Sequence, residues 1–152
     1  MNKILNLINE LESHIAHSEG LNPTVSASSV GWHIQHALLV IGKTVKALEN
    51  SNPKDYTWEF NRARFIVYTI NKIPRGKGKA PQTVQPEGVI DAQTLKANME
   101  LARNKVNNLA NLQADNYFKH PRFGNLNVKA TITFLKIHTK HHLAIINDIT
   151  AA

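Results

Sequence analysis

The chain has 152 residues, a length that suits one domain, and we predict a single domain over residues 1–152. It contains no cysteine, which excludes disulfides, thiolate metal sites and a cysteine nucleophile. Lys and Arg number 18 against 11 Asp and Glu, and the resulting net charge of +7 permits an anionic partner without requiring one.

The N-terminal segment does not resemble a secretory signal. Glu10 and Glu12 fall where the apolar core of a signal peptide would have to lie. No apolar run approaches the ~20 residues that a membrane-spanning helix needs. We therefore expect a soluble, cytoplasmic protein without a membrane partner.

The first half of the chain predicts two long helices and a shorter one, from the spacing of apolar residues and from helix-ending residues. The first helix covers about 3–18. The second begins at a serine cap within 26–29 and ends near residue 50, and it is apolar around most of its girth. A short helix then begins at Pro53 and ends near residue 72, although its segment RFIVYTI, taken alone, could also form a strand.

The second half predicts a loop and two further long helices. The loop spans 74–88, and the third long helix begins at the cap Asp91 and ends near 113. Residues 120–127 form a turn, and the last helix covers about 127–148. This order predicts an all-α fold, for which a helical bundle is the usual architecture.

The loop contains the only clear cluster of basic residues, which includes Arg75, Lys77 and Lys79. Such a cluster is either a solvated, flexible segment or a site for acidic groups of a ligand. Nucleic-acid binding by stacking would require aromatic residues among these basic ones, and the loop has none. The sequence therefore argues against a nucleic-acid partner.

Two histidines lie in the middle of the apolar stripe of the last helix. At 100° per residue, one narrow arc contains Thr131, Leu135, His138, His142, Ile145 and Ile149. Because His138 and His142 are four residues apart, they stack on one face and can share a metal ion. The alternative is a pair of hydrogen-bonded core histidines, since two unpaired buried rings would cost ~1–3 kcal/mol each. His141 lies about 60° to the side.

The second helix offers two candidates for a third ligand. His33 and His36 are three residues apart and share a face, and the helical angles do not choose between them. Three histidine ligands would leave an open position on the metal, which is typical of catalytic zinc. His14 and His17 lie at the edge of the first helix and His120 lies in a turn, so all three look ordinary.

The segments SVGWHIQHALLV, KIPRGKGKAP and HPRFGNLNVKATITFLKIHTKHHLAII resemble the DinB/YfiT-like metalloenzyme superfamily, in particular a branch of unknown function. The resemblance covers nearly the whole chain and implies a four-helix bundle with up-down-down-up connectivity. It also implies a divalent metal held by His138, His142 and one histidine of the second helix. The family spacing of seven residues after Ser29 places that last ligand at His36.

The resemblance implies several functions without choosing one. Some relatives transfer thiol cofactors such as bacillithiol or mycothiol, and others hydrolyse or isomerise small molecules. No HExxH motif is present and no carboxylate adjoins either histidine pair, which disfavours a hydrolase. We therefore predict a metal-dependent transferase that uses a low-molecular-weight thiol, with zinc or nickel as the metal. A hydrolase and a non-catalytic metal-binding or structural bundle are the alternatives, and a homodimer is compatible with the sequence.

Overall fold

The computed structural model describes residues 1–76, 81–88 and 90–151, and within these ranges the chain is mostly helical. The α-helices, in chain order, are α1 (Asn2–Ser13), α2 (Val30–Glu49), α3 (Arg62–Ile70), α4 (Ala92–Asn108) and α5 (Val128–Thr150). Two short strands, β1 (Tyr117–His120) and β2 (Gly124–Asn127), pair between α4 and α5. Within the described ranges, no helix is both long enough and apolar enough to cross a membrane.

Polar side chains fix where three of the long helices begin. Ser29, Asp91 and Asn127 each accept a hydrogen bond from the backbone amide three residues further on, at 3.3, 2.7 and 3.0 Å. Each bond satisfies an amide that the first turn of a helix leaves without a partner. The predicted starts of these helices are confirmed.

The core lies between the four longest helices. α2 packs against α4 and α5, and α1 packs against the same two helices. Buried side chains occur around most of the circumference of α2, as its apolar sequence predicts. α2 is therefore the central element, and any polar side chain on its inner turns is held deep in the protein.

The prediction of one helix from Pro53 to residue 72 is wrong. Only a short 3₁₀ turn follows Pro53, the backbone is not helical over 56–61, and α3 begins at Arg62. The side chains of Arg64 and Asn125 donate to carbonyl oxygens of this non-helical segment. Tertiary contacts therefore satisfy backbone groups that a helix would have satisfied internally. The first and third long helices also end earlier than predicted, each in a 3₁₀ turn, at Ile15–His17 and Leu109–Asn111.

The predicted turn before the last helix is part of a β-hairpin. Tyr117 pairs with Asn127 and His120 with Gly124, so only residues 121–123 connect the strands. Gly124 has a φ of 71°, in the left-handed region that favours glycine. The strands were not predicted because four residues are too few to reveal an alternating pattern.

Arg64 fastens α3 to the hairpin. Its guanidinium donates to the carbonyls of Phe123 and Asn125, at 3.3 and 2.9 Å, and also to the carbonyl of Glu59. The Arg64 side chain is buried, and its bond to the Phe123 carbonyl is fully buried, whereas the other two are partly buried. Arg64 thus holds α3 against the hairpin together with Asn61, whose side chain donates to the carbonyl of Arg122.

We expect Arg64→Ala to lower the free energy of unfolding by about 3 kcal/mol, since a buried unpaired polar group costs ~1–3 kcal/mol and several carbonyls lose their donor. Arg62→Ala is the matched control, because Arg62 is exposed on the same helix. Its effect should stay within about 0.5 kcal/mol. Urea unfolding followed by circular dichroism measures both. Equal effects of the two substitutions would contradict this role for Arg64.

Candidate metal centre

Helices α2 and α5 bring three histidines together inside the protein. His36 comes from α2, and His138 and His142 come from successive turns of α5. One ring nitrogen from each residue lies within 4.8 Å of the other two, so this cluster could hold a metal ion. Zinc binds imidazole nitrogens at ~2.0–2.1 Å, and this spacing is compatible with one shared ion.

The ring of His36 is held from two sides. Its Nδ1 lies 2.7 Å from the carbonyl oxygen of Val84. A carbonyl can only accept, so Nδ1 carries the proton and Nε2 keeps a free lone pair. Trp32 stacks on the imidazole, with ring centroids 5.0 Å apart and planes 7° apart. A hydrogen bond on one nitrogen that frees the other is the usual support of a metal-binding histidine.

His142 is supported by a chain of polar side chains. Its Nδ1 lies 3.0 Å from Nδ1 of His33, and Nε2 of His33 lies 3.0 Å from the hydroxyl of Ser26. If Nδ1–H of His142 donates to His33, then Nε2 of His142 is free to bind a metal. With this tautomer, His33 lies outside the cluster and orients His142.

The hydrogen bonding of His138 indicates whether the three side chains suit a metal ion. Its Nδ1 is buried and has no hydrogen-bond partner among the described residues. A buried polar atom without a partner costs about 1–3 kcal/mol. Coordination of a cation through this atom would remove that cost, so the three side chains fit a bound metal ion.

Burial also keeps the cluster in the form that binds metals. Desolvation lowers the pKa of His36, and it lowers the pKa values of His138 and His142 further, with the neighbouring imidazoles adding to the effect. At neutral pH all three rings are therefore uncharged and retain a lone pair. A metal ion does not have to displace protons from them.

The cluster opens into a cavity of about 1070 Å³. Its walls are mostly apolar and aromatic, and they include Trp32, Phe118 and Phe134. The described lining residues also include Lys43, Arg75, Lys119 and Arg122, but no Asp or Glu. A metal in this cluster would thus face a space large enough for a small organic molecule and without a described carboxylate.

The other candidate residues take different positions. His33 and His36 are equally buried, at 4% and 3% exposed, but only His36 belongs to the cluster. His141 lines the cavity but does not belong to the cluster. His14 and His17 do not line it.

The basic loop is described only in part. Arg75 pairs with Asp148 at 2.7 Å on the surface, beside the cavity. Lys77 and Lys79 lie outside the described residues.

His120 is a cavity residue that sequence reasoning missed. Its Nδ1 accepts hydrogen bonds from the backbone amides of Arg122 and Phe123, at 3.0 and 3.1 Å. The β-hairpin turns this ring towards the cavity, where Phe134 lies 4.8 Å from His120 and 5.5 Å from His138 between ring centroids. The position of His120 at the cavity could not be predicted from the sequence, because it depends on a hairpin whose strands are too short to show an alternating pattern.

No protein-family model, curated protein or solved structure matches the chain. The function proposed below is therefore based on the geometry of the cavity and of its histidines.

Proposed function

We propose that the protein binds one divalent metal ion through His36, His138 and His142, with zinc or nickel as the occupant. Three imidazoles suit both metals, and the chain contains no cysteine that would favour a softer ion. Two observations support the proposal most directly: one ring nitrogen from each of the three histidines clusters with the other two, and Nδ1 of His138 is buried without a partner among the described residues.

The proposal extends to the architecture. The packing of α1 and α2 against α4 and α5 supports a four-helix bundle, and the up-down-down-up connectivity that we propose for it follows from the sequence resemblance. In that arrangement α3 and the hairpin are additions at the open end of the histidine cluster. Membership of the DinB/YfiT-like superfamily belongs to the same proposal and depends on the sequence resemblance alone.

The activity we propose is metal-dependent transfer of a small thiol to an electrophilic substrate in the cavity. The thiol sulfur would form a bond to an electrophilic carbon of the substrate, the displaced group would leave with the electron pair of its former bond, and the thiol proton would pass to that group or to water. When bound, the metal would lower the pKa of a thiol or water molecule at its open position. The chain's own contribution is to orient the ligands through Val84 and His33, and to exclude bulk water with aromatic walls. The observation that favours a thiol is the lack of a carboxylate base among the described lining residues, since a deprotonated thiol needs no such base.

Titration of the cobalt-substituted protein with low-molecular-weight thiols tests this activity. We expect a thiolate-to-metal charge-transfer band to appear in the absorption spectrum and to saturate with one thiol per protein. The matched control is cobalt-treated His138→Ala/His142→Ala protein, which should show no band. If thiols leave the spectrum unchanged while the metal-loaded protein cleaves esters or amides, the transferase proposal fails and a hydrolase replaces it.

A further inference from the structure

Beside the histidine cluster, the hairpin presents a hydrogen-bond donor whose direction is fixed. Because Nδ1 of His120 accepts from two backbone amides, its proton must be on Nε2. Nε2 has no hydrogen-bond partner among the described residues, and the ring lines the cavity. His120 is half-buried and stacks on Phe123, with centroids 4.4 Å apart and planes 15° apart. The donor is therefore rigid and available to a ligand.

Arg122 places a positive charge next to this donor. Burial and the nearby guanidinium lower the pKa of His120 to about 4, so its imidazole is neutral at pH 7. In the part of the chain that is described, neither Arg122 nor Lys119 pairs with a carboxylate, and both line the cavity. A neutral N–H donor beside unpaired cations suits an acceptor that carries negative charge.

The charge of the metal site also favours a negatively charged ligand. Three neutral imidazoles leave a dication without a compensating negative charge from its ligands, and no described lining residue is acidic. Lys43, which also lines the cavity, donates to the carbonyl of Thr83 rather than to a carboxylate. A ligand of this cavity would thus meet several positive charges between apolar walls.

We propose that His120 and Arg122 form an oxyanion-binding subsite, which holds the carboxylate or phosphate group of a small, partly apolar substrate beside the metal site. His120 donates from Nε2, and Arg122 supplies charge and further donors. Neither residue belongs to the metal-binding cluster, so both act on the substrate rather than on the metal. This inference deepens the proposed function, on which it rests for the neighbouring metal ion and for the statement that the bound molecule is a substrate.

Calorimetric titration of the metal-loaded protein tests the subsite, with hexanoate, hexyl phosphate and the neutral hexanamide as probes. We expect at least one anion to bind more tightly than the amide, and the tighter anion identifies the group that the subsite takes. His120→Asn retains an acceptor for the backbone amides but lacks the Nε2 donor. His120→Asn and Arg122→Gln should each weaken anion binding about tenfold and leave amide binding unchanged.

Lys96→Gln is the matched control, because it removes one positive charge from an exposed position that does not line the cavity. It should leave the affinity for the anions within about twofold of the wild type, since exposed charges away from a site are largely screened. If it weakens anion binding as much as Arg122→Gln does, net charge explains the affinity and the subsite is wrong.

Metal content, measured for each variant, separates this inference from the metal proposal. If His120→Asn and Arg122→Gln both keep wild-type anion affinity and full metal content, the subsite is wrong and the metal proposal stands. If the wild type holds no metal but its anion affinity still depends on His120 and Arg122, the subsite stands and the metal proposal is wrong. Anions that bind no better than hexanamide overturn the subsite in either case.

Discussion

The double substitution His138→Ala/His142→Ala should abolish stoichiometric metal binding. It removes two of the three imidazoles in the cluster and leaves only His36. Loss of a hydrogen-bonding neighbour of a metal ligand already weakens binding by about 10–100-fold, so the loss of two ligands should exceed that range. The measurement is elemental analysis of protein purified without a histidine tag, after chelation and reconstitution with zinc or nickel.

Thermal unfolding gives a second readout of the same prediction. A ligand at 100 times its dissociation constant adds about 2.7 kcal/mol to the free energy of unfolding. Added metal should therefore raise the melting temperature of the wild type but not that of the double variant. His14→Ala, which removes a histidine that does not line the cavity, should behave as the wild type. Full metal content in the double variant would show that these residues are not the ligands.

The two histidines of α2 should differ sharply when each is replaced. We expect His36→Ala to lose stoichiometric metal, because it removes a member of the cluster. His33→Ala should keep the metal but bind it about 10–100-fold more weakly, because His33 only orients His142 through the 3.0 Å contact between their Nδ1 atoms. Metal content and competition with a chelator distinguish complete loss from reduced affinity.

Two further variants distinguish the loss of a metal ligand from misfolding of the protein. His36→Gln keeps a polar side chain in the buried position and should lose the metal as His36→Ala does. His141→Ala alters a cavity histidine outside the cluster and should retain wild-type affinity. All variants should keep the helical circular dichroism of the wild type. Loss of metal in His33→Ala but not in His36→Ala would reverse the assignment.

The two α2 histidines show where sequence reasoning ends. Helical angles place His33 and His36 on one inner face, and both are in fact buried. What separates them is the position of other segments: Val84 accepts a hydrogen bond from His36, while Ser26 and His142 contact His33. These partners come from other segments of the chain and are up to 109 residues away in the sequence, so no local pattern reports them.

Local sequence did determine the long helices and the apolar face of α5. A cap residue and a 3.6-residue apolar period act within a few turns, and for this reason Ser29, Asp91 and Asn127 could be read directly as the starts of helices. The stacking of His138 and His142 likewise follows from helix geometry alone. Their assignment as metal ligands stays a prediction.

The tertiary structure alone decided the elements around the cavity. Two carbonyls of the segment before α3, those of Glu59 and Thr57, accept hydrogen bonds from Arg64 and Asn125, and the segment does not form the predicted helix. The hairpin depends on pairing between β1 and β2. It places His120, for which the sequence predicts a turn, at the wall of the cavity. Both outcomes arise because long-range hydrogen bonds override weak local preferences, and the energy of such bonds depends on partners that the local sequence does not reveal.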